Sequence, residues 1–192
     1  MKQLLFALLF CVSLTAQNYT VDQPRMRVNR TAPLTLSTTW QTVDFNGTST
    51  FNVNDFGNDP TTGKKMVSWD ATAKLFRIYG DYNNTYLLQL FPTTTTTAVS
   101  VRSTLQYRIV IPNGNGAGSD LYIPYPEAGG YADINEVTIL STQMQHNPII
   151  FGITATPAIR ANGFYVQVRL STLITLGSCT LNNCAFLIQS LK

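Results

Sequence analysis

Charged side chains are scarce in this chain: they make up 12% of its 192 residues, against a usual share of roughly 25%. Glutamate occurs only at Glu127 and Glu136, and the one histidine is His146. With so little Glu and Lys the chain lacks good helix formers. That disfavours a helical bundle, a coiled coil or an alternating α/β enzyme. A catalytic triad needs a His base beside a nucleophile and a carboxylate. His146 lies in the run Gln143 to Pro148, between two expected strands, where a lone histidine is ordinary turn structure. No G-x-S-x-G elbow, no H-E-x-x-H helix and no P-loop is present. The net charge of +3 is small and scattered, so no basic footprint points to nucleic acid.

What is abundant is threonine, with 26 residues, and asparagine, with 15, in a chain that is 44% hydrophobic and 11% aromatic. Thr, Val, Ile, Tyr and Phe favour strands. The aromatic content excludes intrinsic disorder. The length suits one domain, or one domain plus a short arm. The expectation is an all-β, nearly neutral domain coated with Thr and Asn, a type common outside the cytoplasm and on virus surfaces.

The N-terminus, residues 1–17, reads MKQLLFALLFCVSLTAQ. Lys2, the apolar run Leu4 to Leu14 and the small residues before Gln17 form the pattern of a secretory signal peptide. The run is short for a membrane span of about 20 residues. A buried apolar strand or a membrane-touching anchor would use the same residues. Of the three cysteines, Cys11 lies in this run. Cys179 and Cys184, with the four residues Thr180 to Asn183 between them, suit a short loop closed by a disulfide. They equally suit two unpaired thiols flanking a hairpin turn. One His and no second Cys pair leave a zinc site unsupported.

Residues 18–33 read as a polar extended arm carrying Arg25, Arg27 and Arg30 between proline breakers. It would lie along a neighbouring subunit or be a solvated linker. Residues 34–192 form the domain, and no linker divides them. Strand-like runs cover Leu34 to Phe45, Met66 to Trp69, Lys74 to Tyr79, Tyr86 to Phe91 and Val99 to Pro112. Others cover Leu121 to Pro126, Asn135 to Leu140, Ile149 to Ala155, Phe164 to Thr175 and Cys184 to Leu191. Asp70 to Ala73 reads as a hairpin turn. In the Val99 run, Val99, Val101, Leu105, Tyr107, Ile109 and Ile111 share one face, interrupted at Ser103. The tract Thr93 to Thr97 reads as an exposed edge or loop. No helix is expected after residue 17. Eight to ten short strands with regular turns indicate an antiparallel β-sandwich, jelly roll or barrel.

Most of the ten acids lie beside Gly or Asn in turns, where Asp caps backbone N–H groups. Asp55 and Asp59 faintly suggest a calcium loop, but the glutamate such a loop needs at its last position is missing. No metal and no cofactor is expected. Six tyrosines near turns, Tyr79, Tyr82, Tyr86, Tyr122, Tyr125 and Tyr131, are the candidate receptor or interface contacts. Tyr stacks on sugars and is also ordinary at strand ends and subunit interfaces.

The runs Trp40 to Gly47, Trp69 to Ile78 and Tyr86 to Leu90, in that order, resemble the opening of C1q/TNF-like jelly rolls. The pattern is similar to that of phage virion proteins such as head fibres and spikes. Arg108 to Pro112 and Gly130 to Val137 resemble such phage sequences as well, and the leader resembles those of Bacteroidetes proteins. The resemblance spans Leu34 to Lys192 through soft patterns. It implies a non-enzymatic virion surface protein, capsid-associated and homotrimeric, that meets other virion proteins through its arm and a host glycan or receptor through its loops. The leader departs from that pattern, because most phage capsid proteins are not exported. The alternative is therefore a secreted bacterial β-sandwich adhesin or carbohydrate-binding module. A glycan hydrolase on the same fold is a third reading.

Overall fold

In the computed structural model the described residues are 23–47, 52–79, 84–97, 103–115, 118–123, 132–136, 141–145, 149–172 and 178–191. They form two antiparallel sheets and a hairpin around one apolar core. The seven-stranded sheet has the order β11 (Ser141–Gln145), β7 (Thr85–Thr96), β14 (Cys179–Leu191), β1 (Arg25–Arg30) and β4 (Val53–Asn54). In it β12 (Ile149–Thr154) also pairs with β7, and β2 (Leu34–Thr35) with β14. The five-stranded sheet runs β10 (Ala132–Glu136), β8 (Thr104–Ile111), β13 (Tyr165–Leu170) and β3 (Gln41–Thr42), with β9 (Leu121–Ile123) also on β8. Strands β5 (Val67–Asp70) and β6 (Leu75–Ile78) form the separate hairpin. The all-β expectation is met.

Alternation decides which side chains enter the core. On β8, Leu105, Tyr107, Ile109 and Ile111 are buried, as their period-two spacing predicts. They face Leu88, Leu90, Phe186 and Ile188 of the larger sheet within a single cluster of buried residues. The β5–β6 hairpin turns as expected at Asp70, whose Oδ1 accepts the N–H groups of Thr72 at 3.1 Å and Ala73 at 3.0 Å. The hairpin is tied to the five-stranded sheet at Phe76 and Phe164. Each N–H donates to the other's carbonyl, at 2.8 and 3.0 Å. Their rings stack with centroids 5.1 Å apart. Phe45, Trp69 and Phe186 close around Phe76 at 5.4, 4.7 and 4.8 Å.

Four expectations are corrected. Part of the supposed arm is β1, which pairs residue for residue with β14 from Arg25↔Gln189 to Arg30↔Cys184. Its inward side chains explain this: Met26 is buried, and Val28 packs on the core. Arg30 is buried too, and its guanidinium donates to the carbonyls of Asp44 at 3.0 Å and Pro33 at 3.2 Å. The cation therefore fastens the 33–44 loop. Second, the run Leu34 to Phe45 is not one strand. It crosses from the larger sheet at β2 to the smaller at β3.

Third, the threonine tract is interior strand. Thr94 and Thr96 are buried at the end of β7, between β14 and β11. Pro92 is accommodated because β12 stops at Leu90 and β11 starts at Thr93, so that side of the ladder needs no donor there. Fourth, one short helix, α1 (Pro157–Asn162), follows β12. Thr156 caps it by accepting the Ile159 N–H at 3.3 Å, Pro157 fills the first position, and Gly163 ends it.

Gly163 has φ 69°, and a Cβ there would lie 2.5 Å from the Phe76 carbonyl oxygen. The site demands glycine for its backbone conformation and for the close approach that lets Phe164 pair with Phe76. Gly163→Ala should destabilise the protein by at least about 2 kcal/mol, given ~1–3 kcal/mol for a strained conformation alone. Urea unfolding should show a lower midpoint with an unchanged slope. An unchanged midpoint would contradict the tight packing described.

Candidate functional site

Among the described residues, the outward face of the five-stranded sheet brings together a group of polar and aromatic side chains. Leu105, Tyr107, Ile109 and Ile111 point inward, so Gln106, Arg108 and Val110 point outward. On β13 the same alternation buries Val166, Val168 and Leu170 and turns Tyr165, Gln167 and Arg169 outward. The register then sets Arg108 opposite Gln167 and Arg169 opposite Gln106. Each arginine Nε donates to the facing glutamine Oε1, at 2.8 Å for Arg108 and 2.9 Å for Arg169.

Trp40, just before β3, lies over both cations. Its ring centre is 4.3 Å from the Arg108 Cζ and 4.4 Å from the Arg169 Cζ. The Tyr122 ring on β9 also meets Arg108, its centre 4.2 Å from the Arg108 Cζ. Such contacts contribute ~0.5–1 kcal/mol each when exposed and more when desolvated. Val110, on the same outward phase of β8, is fully buried. Burial draws the Arg108 guanidinium below its ordinary range, and the nearby Tyr122, Tyr165 and Asp120 partly oppose this. Burial pushes the Tyr165 phenol up, and Asp120 adds to that rise. The result is a plated surface of flat rings and planar guanidinium groups held by cross-strand hydrogen bonds. It offers π faces and charge-assisted donors, and among the described residues it holds no nucleophile–base pair.

The candidate tyrosines separate. Tyr122 belongs to this face. Tyr79 is half-buried at the end of the hairpin, with the Lys64 ammonium 5.0 Å from its ring. Tyr86 is not a surface contact: it is 1% exposed and packs against Phe56 inside the core. It alternates inward with Leu88 and Leu90, and the turn before it had suggested exposure. Tyr82, Tyr125, Tyr131 and His146 lie outside the described residues, as does the leader with Cys11. Trp40, Arg108 and Arg169 were not singled out from the sequence. The two arginines were findable, since they fall on the opposite phase of apolar alternations. Trp40 offered no such signal, because its place depends on the chain crossing between sheets.

Cys179 and Cys184 are both free and buried. They do not flank a turn but lie on the single strand β14. Five steps of extended chain separate their Cα atoms by about 16 Å, and a disulfide needs less than ~7 Å. A bulge between Leu181 and Asn183 shifts the alternation by one, so the core-facing set passes from Cys179 and Leu181 to Cys184 and Phe186. Burial raises both thiol pKa values. For Cys179 hydrogen bonds with Thr96 and Thr94 oppose the rise, and for Cys184 the Arg30 cation does. Among the described residues no group of three or more His, Cys, Asp or Glu side chains could hold a metal ion. No helix among them is long and apolar enough to cross a membrane.

No protein-family model matches the chain, and no curated protein matches it. Among solved structures it is similar to the Eiger TNF of S. frugiperda. That match covers 87% of this chain and 93% of the other, with a TM-score of 0.45 and 8% sequence identity.

The thiol geometry gives a direct test. In non-reducing buffer, a thiol reagent should react with neither Cys179 nor Cys184 in the native protein. After denaturation in the same buffer it should react with both. Silence in denaturant would mean a disulfide and would overturn the free-thiol assignment.

Proposed function

We propose that this chain is a non-enzymatic attachment protein of a phage virion surface, a head fibre, spike or capsid-associated subunit. It acts as a homotrimer that presents the outward face of the five-stranded sheet to a host glycan or receptor. The observation that carries this reading is the Trp40–Arg108–Arg169–Tyr122 layer. Sugar rings have an apolar face that stacks on aromatic rings and hydroxyl or carboxylate edges that accept from guanidinium groups. A layer preorganised by Arg–Gln bonds supplies both at low entropic cost. Trp40→Ala should weaken retention on the recognised polysaccharide at least tenfold, about 1.4 kcal/mol, with the thermal midpoint lowered by only the few degrees that losing two cation–aromatic contacts costs. Unchanged retention would remove this face from the reading.

The trimer is supported by the opposite surface. On the outward side of the seven-stranded sheet Phe91 is 36% exposed and Leu191 42% exposed. Leu87 and Leu187 are partly exposed beside Gln89 and Gln189 in the same register. The side chains of β7 and β14 in this strip carry no charge, and Arg25 and Arg27 of β1 border it opposite Gln189 and Leu187; an apolar centre with a polar rim has the composition of an interface. Light scattering should give three times the monomer mass, provided β1 is retained, and Phe91→Asp should shift the mass towards one subunit. A clean monomer at micromolar concentration would remove the trimer.

The leader-like residues 1–17 favour a second reading, a secreted bacterial adhesin or carbohydrate-binding module. It uses the same contact face. Mass spectrometry of purified particles separates the two by the presence of the protein and its N-terminal processing.

A further inference from the structure

On the outward face of the five-stranded sheet two cations are held side by side. Arg108 is opposite Gln167 and Arg169 opposite Gln106, so the two arginines are diagonal neighbours on β8 and β13. Diagonal positions lie ~7–8 Å apart, within reach of long side chains. Trp40 brings the heads together, with its ring centre 4.3 Å from the Arg108 Cζ and 4.4 Å from the Arg169 Cζ. Like charges at such spacing disfavour each other. Burial lowers the Arg108 guanidinium most, and the Arg169 charge lowers it further. An anion in contact with both heads removes that cost.

The acids near this face stand to one side of the pair. Asp120 precedes β9, and β10 carries Asp133 in register with Gln106. Both strands pair with β8 along the edge away from β13. On the opposite side β3 brings Gln41 and Thr42, and Asp44 beyond it is already paired with Lys74 at 3.3 Å. The positions that face the two arginines across the ladder, Gln106 and Gln167, are neutral. A guanidinium is a planar fork with five N–H donors. In each arginine the glutamine takes the Nε–H, which sets the plane of the fork. A fork of this kind matches a carboxylate in bidentate geometry. Next to the cations Val110 lies in register between Tyr165 and Tyr122, so aromatic side chains border them on the same face.

We propose that this face selects an acidic polysaccharide whose sugar rings carry carboxylates, with Arg108 and Arg169 as the carboxylate-binding pair and Trp40 as the ring that holds them together. A uronate ring supplies both features the layer asks for: an apolar C–H face for the aromatic rings and a planar anion at its edge for the guanidinium forks. A neutral glycan would use the rings and leave the paired cations uncompensated. The inference rests on the contact-face reading above and adds to it the charge of the ligand.

The chain has two tryptophans, so the Trp40 indole signal in an amide correlation spectrum of the full protein is the one that Trp40→Phe removes. At matched ionic strength, sodium D-glucuronate should move that signal saturably in the millimolar range. D-Glucose, which differs only in lacking the carboxylate, should bind at least tenfold more weakly. Raising the salt to 0.5 M NaCl should weaken glucuronate severalfold, because screening shortens the reach of the cations, and leave glucose unchanged. Arg169→Gln should weaken glucuronate at least tenfold and leave the glucose response as it was. Arg108→Gln should do the same, so either variant that keeps a native spectrum decides the test. Equal binding of glucose and glucuronate, or undiminished glucuronate binding in a folded arginine variant, would overturn the proposal and leave the contact face as a site for neutral sugars. A tetraglutamate peptide that matches glucuronate would assign the face to an acidic protein segment and overturn the proposal too. A Trp40 signal that no sugar moves would overturn both the proposal and the contact-face reading.

Discussion

The two-way backbone bridge between Phe76 and Phe164 is the contact on which the arrangement of layers depends. The hairpin has no other ladder to either sheet among the described strands. Those two hydrogen bonds and the ring stack above them place it over the end of the sandwich. Phe45, Trp69 and Phe186 then pack around Phe76 from the crossing loop, the hairpin and the larger sheet. Five aromatic rings at one junction bury far more apolar area per residue than aliphatic side chains would. The left-handed Gly163, which also ends α1, is what allows the two backbones to come this close. Deleting the Phe76 ring would cost ~3–5 kcal/mol.

A second constraint runs along β14, which is paired on both sides and forms the spine of the larger sheet. Without the bulge after Leu181, Cys179 and Leu181 could not face the core on the same strand as Cys184, Phe186 and Ile188. The bulge falls beside the threonine end of β7, where the Asn182 amide contacts the Thr95 hydroxyl. That end of the core is therefore mixed in polarity, with Thr94 and Thr96 hydrogen-bonded to Cys179. Buried threonine is tolerable there because its hydroxyl finds a partner.

The same sandwich leaves two surfaces with different chemistry. One is a cation–aromatic layer over the five-stranded sheet, and the other an apolar strip over the seven-stranded sheet with Arg25 and Arg27 at its edge. A scarcity of charge makes this division possible, because few ion pairs compete for the outward positions. The three described salt bridges, Arg25–Asp55, Lys74–Asp44 and Arg77–Asp70, lie at 3.3–3.8 Å on partly exposed side chains. Pairs of that kind contribute ~0–1 kcal/mol and leave the fold to apolar packing and the ladders.

The strand class, the hairpin at Asp70 and the inward face of β8 were legible in the sequence, because each is a local property of alternation and turn chemistry. The outward phase of β8 and β13 was legible for the same reason, so Arg108 and Arg169 could be placed on a shared type of surface. Helix α1 was also written locally, in Thr156, Pro157 and Gly163, but its six residues are too short for an apolar period to show. Other features were decided only in three dimensions. Arg25 to Arg30 looks like a polar arm until Met26 and Val28 find Ile188 and Phe186 across the ladder. The threonine tract looks exposed until β14 and β11 cover it. The spacing of Cys179 and Cys184 suggests a closed loop until the strand extends them. Trp40 meets Arg108 and Arg169 only because the chain changes sheets between β2 and β3. Alternation tells a strand which of its faces is apolar, but which strand lies beside it is set by pairings between residues far apart in the chain.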